Sequence, residues 1–392
     1  MIMKHLTIKQ CNTPFKISSD GWNVSLSDEG RANSGVMVLE AVSGQTLLHC
    51  FPTKGLSVGQ LWYNKQPVFW EAPIGLIPAE QFNPLQEDIC INGKVAPGFS
   101  FLQTFSGGIE LYGLKNWGMP RTDQDGNLLP LHGETSNIPV KEIELWTDNH
   151  DLIILGTFEY RSFIGDETKP WYERGEVLYT VTRTIRLGKA GKMEVSDSIE
   201  NKTADTLSPD WGYHITFYAE EGARLLVPSQ SAEMRDRQPL PADIETWKPA
   251  TRERLRTETG IIHNGLRIND QDGRQLNDVL VTYPNSKGIW VTFSPSPYFQ
   301  TWFCNGGANS DEFTYTNGLP VFKKPWNGIG IEIGASALDH DGRTDSSVAF
   351  NPVLLPGQAV KLIIVVEVLN HDKTLEVDKE ISMFISKNRK TV

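Results

Sequence analysis

The eleven residues Glu176–Arg186, EVLYTVTRTIR, alternate with a period of two: Val177, Tyr179, Val181 and Ile185 fall on one face, and Thr180, Thr182 and Thr184 on the other. Successive side chains of an extended strand point to opposite faces, and β-branched and aromatic residues suit that pleated surface. The segment therefore predicts a half-buried strand. Shorter runs of the same kind occur at Val36–Ala41, Leu152–Tyr160, Val279–Tyr283, Gly288–Phe293 and Val360–Val368. Turn signals lie between them, at Ser43-Gly44, Asp125-Gly126, Asp272-Gly273, Asn305-Gly306-Gly307 and Asp341-Gly342. Helical periodicity is confined to Asp243–Thr257, interrupted by Pro249, and to Asp378–Asn388, where Ile381, Phe384 and Ile385 share a face. No repeat of fixed period is visible, which disfavours a propeller or solenoid. The pattern predicts an all-β chain with few helices: one large antiparallel β-sandwich over residues 1–370, and a C-terminal tail, 371–392, forming a short helix packed on the same domain.

Composition narrows the function classes. Lys and Arg number 37 against 48 Asp and Glu, a net charge of −11, so no basic stripe is available to neutralise phosphates, and neither nucleic acid nor an anionic membrane is an expected partner. The longest apolar run, Leu362–Val366, is strand-sized, and the opening MIMKHLTIKQCNTPF has no apolar core of secretory-signal length. A soluble, cytoplasmic protein, monomeric or homodimeric, is the expectation. Cys11, Cys50, Cys90 and Cys304 are scattered without CxxC or Cys/His pairing and read as free thiols.

Phosphate-binding glycine loops, HExxH and GxSxG are all missing, so no metal or nucleotide cofactor is expected. Three segments hold groups suited to sugars: aromatic faces, amides and carboxylates for hydroxyls, and His for proton transfer. The first, Asn116–Pro139, places His132 in Leu-His-Gly beside Glu134, Ser136 and Asn137; a turn-pinning role would explain such a histidine equally well. In the second, SPDWGYHITFY, a strand puts His214 on the face of Gly212 and Thr216, opposite Tyr213 and Ile215; small neighbours leave room for a ligand, although a satisfied core histidine fits too. The third, Tyr298–Gly334, ends in WNGIGIEIG, where Glu332 interrupts an apolar strand and points either to solvent or into a cleft, where burial would suit it to base catalysis.

The order LHGETSNIP, the His214 strand, GIGIEIG and then NPVLLPGQAVKL resembles the aldose 1-epimerase (galactose mutarotase) superfamily, in a divergent branch. The resemblance spans roughly residues 15–370 and implies the galactose mutarotase-like supersandwich and the interconversion of α and β anomers of a free monosaccharide without metal or cofactor. On it, His214 matches the family's acid, Glu332 its base and His132 a substrate-positioning histidine. Where the family commonly has Asn just before its strand histidine, this chain has Gly212-Tyr213. The family's sugar-contacting Arg has no clean match; Lys54 in PTKGL and Arg121 after Pro120 are the candidates, with Asn137 as a further hydroxyl ligand. Trp302 and Trp326, with Tyr298, offer stacking faces, although aromatic residues in a β core are commonly packing. A non-catalytic carbohydrate-binding or sensing protein on the same fold is the alternative. A glycoside hydrolase would need two carboxylates flanking the scissile bond, and only Glu332 stands in a suggestive setting.

Overall fold

The computed structural model of the chain describes residues 5–9, 11, 13–28, 35–72, 76–84, 89–235, 239–240, 244–249, 258–285, 287–305, 313–321, 327–336 and 352–389. Among them two antiparallel sheets, of ten and twelve strands, pack face to face into a β-sandwich. The ten-stranded sheet contains the long hairpins Glu142–Asp148, Asp151–Arg161, Val177–Leu187 and Lys192–Asn201, followed across the sheet by Ala359–Leu369, Gly288–Phe293 and Arg274–Thr282. Across the middle of the twelve-stranded sheet run Glu258–Leu266, Tyr298–Asn305, Asn327–Gly334, Asp210–Phe217, Gly108–Leu114 and Ser57–Tyr63. The shared interior is filled by the inward residues of both sheets, among them Ile154, Val181 and Val195 on one side and Tyr213, Ile215 and Ile331 on the other.

The central strands of the larger sheet are buried on both faces. In Asp210–Phe217 the odd residues join the interior, while the even ones, Gly212, His214 and Thr216, face outward beneath a second apolar cluster of Phe101, Phe105, Tyr112, Trp117, Leu131 and Trp302. That outer face, covered by its own aromatic layer, carries the polar groups of the site.

Period-two alternation locates the strands well. Glu176–Arg186 is the strand Val177–Leu187, and Gly288–Phe293 has the expected bounds. One inward position is polar, however: Arg183 is fully buried on the face of Val181 and Ile185. Its guanidinium donates to both carboxylate oxygens of Asp197 on the next strand, at 2.8 and 2.7 Å, and the Tyr213 hydroxyl donates to the same carboxylate at 2.5 Å. This fork-on-fork pair lies directly beneath the strand that bears His214.

The C-terminal helix extends back to His371, beyond the expected Asp378, and runs to Asn388. Asn370 caps it, its side-chain oxygen accepting from the Lys373 N–H at 3.0 Å. Val377 and Ile381 pack against Leu226, Leu280 and Leu369 of the ten-stranded sheet. No described helix is long and apolar enough to cross a membrane. All four cysteines are free and buried. Of the expected Asp243–Thr257 helix, residues 243 and 250–257 lie outside the described residues, and 244–249 form a turn in which Thr246 bridges Arg224. The turns at 306–307 and 341–342 also lie outside the described residues.

Candidate functional site

Strand register brings four polar side chains into one row across the outer face. Glu110 pairs with His214, His214 with Glu332, and Glu332 with Gln300. Directly opposed residues in an antiparallel sheet share a face with Cβ atoms ~5 Å apart, so the row Glu110–His214–Glu332–Gln300 follows from the backbone alone. All four are buried.

His214 Nε2 lies 3.3 Å from Glu332 Oε1, and its Nδ1 lies 3.3 Å from the Thr216 hydroxyl. The other Glu332 oxygen accepts a 2.6 Å bond from the Gln300 amide, whose own oxygen accepts from the Tyr298 hydroxyl at 3.1 Å. Burial pushes the His214 pKa down to about 3. The resting imidazole is therefore neutral, with Nε2 against the Glu332 carboxylate and Nδ1 beside the Thr216 hydroxyl.

Glycines around this pair make room for aromatic walls. A Cβ on Gly330 would sit 1.9 Å from the Trp302 indole, and one on Gly212 would sit 2.0 Å from that of Trp117. The space that small neighbours leave beside His214 is thus occupied by Trp117, whose backbone N–H is fixed on Asp210 at 2.8 Å. Trp302 is buried flat against Gly330, with its ring 5.1 Å from that of His214; it forms a wall of the site and is not an open stacking platform. Gly330→Ala is expected to overpack this contact and lower stability by about 3 kcal/mol, read as a fall in the urea midpoint; unchanged stability would show that the Trp302 wall is not tight.

His132 reaches the same cluster from a loop. Its ring is 4.6 Å from Phe101, 4.7 Å from Trp117 and 5.8 Å from His214. Three left-handed pairs clamp that loop: Gly55-Leu56, Gly113-Leu114 and His132-Gly133 all have positive φ. They interlock, because Gly113 N–H donates to His132 O at 2.8 Å, Gly55 N–H to Ile138 O at 2.7 Å, and the Thr135 hydroxyl to Gly113 O at 2.9 Å. A positive φ at His132, Leu56 and Leu114 is a strained choice held by its surroundings, and here such residues border the site.

The remaining expected ligands play other parts. Lys54 is fully buried, its ammonium donating to Asn137 Oδ1 at 2.6 Å and to Thr104 O at 3.2 Å. Lys54 and Asn137 therefore bond one another below the surface. Arg121 donates to Asn116 Oδ1 at 2.6 Å and Lys115 O at 2.9 Å, which fixes the turn before Trp117. Trp326 lies outside the described residues. Cys304 is buried in the outer cluster, and its carbonyl accepts from the Trp247 indole at 2.7 Å. Among the described residues no three His, Cys, Asp or Glu side chains are grouped as a metal site would require.

Two members of the row, Glu110 and Gln300, escape a reading of the sequence. Glu110 had a signal: Gly108-Ile109-Glu110 repeats the tripeptide Gly330-Ile331-Glu332. Burial raises its pKa, while Lys54, Ser106 and Tyr112 pull it back. Gln300, in YFQTWFC, carries the same mark of a polar residue inside an aromatic strand.

A family model described as "Domain of unknown function (DUF4432)" matches residues 33–313, a span that ends before the Glu332 strand. No curated protein matches the sequence. Among solved structures the chain is similar to a proposed aldose 1-epimerase from Klebsiella pneumoniae subsp. pneumoniae MGH 78578, at 16% identity and a TM-score of 0.74, with 98% of this chain and 97% of that one covered. A proposed mutarotase from Salmonella typhimurium matches at 10% identity and a TM-score of 0.54, over 91% of this chain and 97% of that one. A galactose mutarotase-like protein from Clostridium acetobutylicum matches at 11% identity and a TM-score of 0.51, over 91% and 98%. At these identities the likeness is one of fold: the galactose mutarotase-like β-sandwich.

Proposed function

Since the chain belongs to the DUF4432 family and has the galactose mutarotase-like fold, we propose that it interconverts the α and β anomers of a free aldose by acid–base ring opening. The observation that carries this reading is the buried contact of Glu332 Oε1 with His214 Nε2, 3.3 Å apart at the centre of the outer face. The C1 hydroxyl and the ring oxygen of a pyranose sit on one carbon, so adjacent carboxylate and imidazole groups can serve both. Glu332 takes the hydroxyl proton as the bond from C1 to the ring oxygen breaks, and protonated His214 supplies the proton that the ring oxygen gains. Rotation about C1–C2 in the open aldehyde exposes its other face, and closure reverses both transfers. Gln300 holds the carboxylate in place, while His132 and the two indoles bound the space beside it.

Burial sets the pH dependence. The acid needs the imidazolium, and desolvation depresses that form, so its population falls about tenfold for each pH unit above the His214 pKa. The enzymatic part of kcat/KM is expected to fall as pH rises from 5 to 8, after subtraction of spontaneous mutarotation. A flat profile would remove His214 as the acid. Anomer exchange measured by NMR across a panel of aldoses and ketoses tests the activity itself. The neutral resting state of His214 also suits a hydrogen-bonding role in a non-catalytic carbohydrate binder, and saturable sugar binding without any acceleration would favour that reading.

A further inference from the structure

A buried histidine makes a poor acid unless something nearby restores its charge. Glu332 stands on one side of His214 in the cross-strand row, and Glu110 occupies the matching position on the other side. Both Glu110 oxygens act as acceptors, from the Ser106 hydroxyl at 2.9 Å and the Ser106 backbone N–H at 3.1 Å. Burial raises the Glu110 pKa, and these two bonds work against that by favouring the charged carboxylate. A positive charge also lies close by, because the fully buried Lys54 ammonium acts electrostatically on Glu110.

Resting on the epimerase reading above, we propose that Glu110 is a positioning residue for the reaction: its carboxylate, across His214 from Glu332, favours the imidazolium from which the ring oxygen draws its proton. Glu110 makes no hydrogen bond to the imidazole and acts through its field. The other titratable groups facing His214 are Glu332 from the neighbouring strand Asn327–Gly334, Tyr112 beside Glu110, and His132 from the clamped loop. Phe101, Phe105 and Trp302 contribute only apolar or indole surface. From the sandwich interior Arg183 acts electrostatically on Glu110, but its charge is largely spent on Asp197. When ionised, Glu110 is a second negative charge in the row beside the imidazole, and Lys54 limits how strongly it acts.

The test follows the ring nitrogen resonances of 15N-labelled histidine through a pH titration, with His214 assigned by loss of its signals in His214→Gln. Glu110→Gln keeps the size of the side chain and is expected to lower the His214 midpoint by about one unit, a tenfold loss of imidazolium at a given pH. The same tenfold loss should appear in kcat/KM at pH 6. Glu110→Asp retains the charge and is expected to stay within about threefold of wild type. Lys54→Met removes the opposing cation and shifts the midpoint upward, which also supplies a reading should Glu110→Gln fail to fold. An unmoved midpoint, or equal losses in the Gln and Asp variants, would reduce Glu110 to a structural part of the sheet and overturn the proposal. A shifted midpoint in a protein that accelerates no sugar would uphold the electrostatic role while overturning the epimerase reading, so the two failures are separable.

Discussion

Glu332→Gln is expected to abolish catalysed anomer exchange while leaving the fold and sugar binding in place. The substitution keeps the shape of the side chain and a hydrogen-bonding oxygen beside Gln300 and His214, so the row should persist. It removes the carboxylate that the proposed mechanism uses to take the C1 hydroxyl proton. A positioned general base contributes roughly a hundred- to ten-thousand-fold, and a loss of kcat in that range with little change in KM is the anticipated result. The readout is line-broadening or saturation-transfer NMR on the sugar that the wild-type protein accelerates. Retention of more than a tenth of wild-type kcat would rule out Glu332 as the base.

The second large effect concerns stability. Arg183 and Asp197 are both fully buried and face each other in a bidentate pair. Two charges leaving water lose much of what their attraction returns, so the intact pair is of modest net value, but removing one partner strands the other. Asp197→Ala is expected to cost about 3–5 kcal/mol, seen as a large fall in the urea midpoint. The double replacement of Arg183 by Met and Asp197 by Leu should recover most of that loss, because no unpaired charge remains. If the single variant unfolds within about 1 kcal/mol of wild type, the pair is not dry. The Tyr213 hydroxyl shares the Asp197 carboxylate, so the single variant is also expected to disturb the strand that carries His214 and to lower activity before it lowers solubility.

Much of the fold is legible in the sequence because a strand declares itself by alternation, and the long strands of the ten-stranded sheet alternate cleanly. Where the alternation carried an exception, local pattern was not enough. Arg183 sits in phase with Val181 and Ile185, and only its partner on a neighbouring strand, Asp197, explains why an arginine is tolerated there. The apolar period of the C-terminal helix begins only at Asp378 for a different reason: His371, Asp372 and Lys373 form a polar first turn.

The site divides along similar lines. His214 and Glu332 stand out as polar residues within aromatic and apolar strands, and the structure brings them into contact. His132 stands out by its Leu-His-Gly setting and lies in the same cluster. Lys54, Asn137 and Arg121 were singled out by residue type, but residue type does not say which way a side chain faces, and their partners turn out to be internal. Glu110 and Gln300 depend on register between strands far apart in the chain, which no local pattern encodes. The repeated Gly-Ile-Glu tripeptide would have drawn attention to Glu110, but it does not reveal that the two copies flank one histidine.

The cross-strand row also bears on how the chain folds. Its four members come from strands that lie far apart in the chain, Gly108–Leu114, Asp210–Phe217, Tyr298–Asn305 and Asn327–Gly334. Contacts of such long sequence separation are slow to form, because the closure entropy of each intervening loop must be overcome first. The last of the four strands is also the least forgiving. A slip of one residue would carry Glu332 through the sheet into the apolar interior and bring Ile331 or Ile333 out beside His214. A refolding chain would then regain most of its β-sheet signal before His214 regained its Glu332 neighbour, and the lag between the two would time the arrival of a single strand in its correct register.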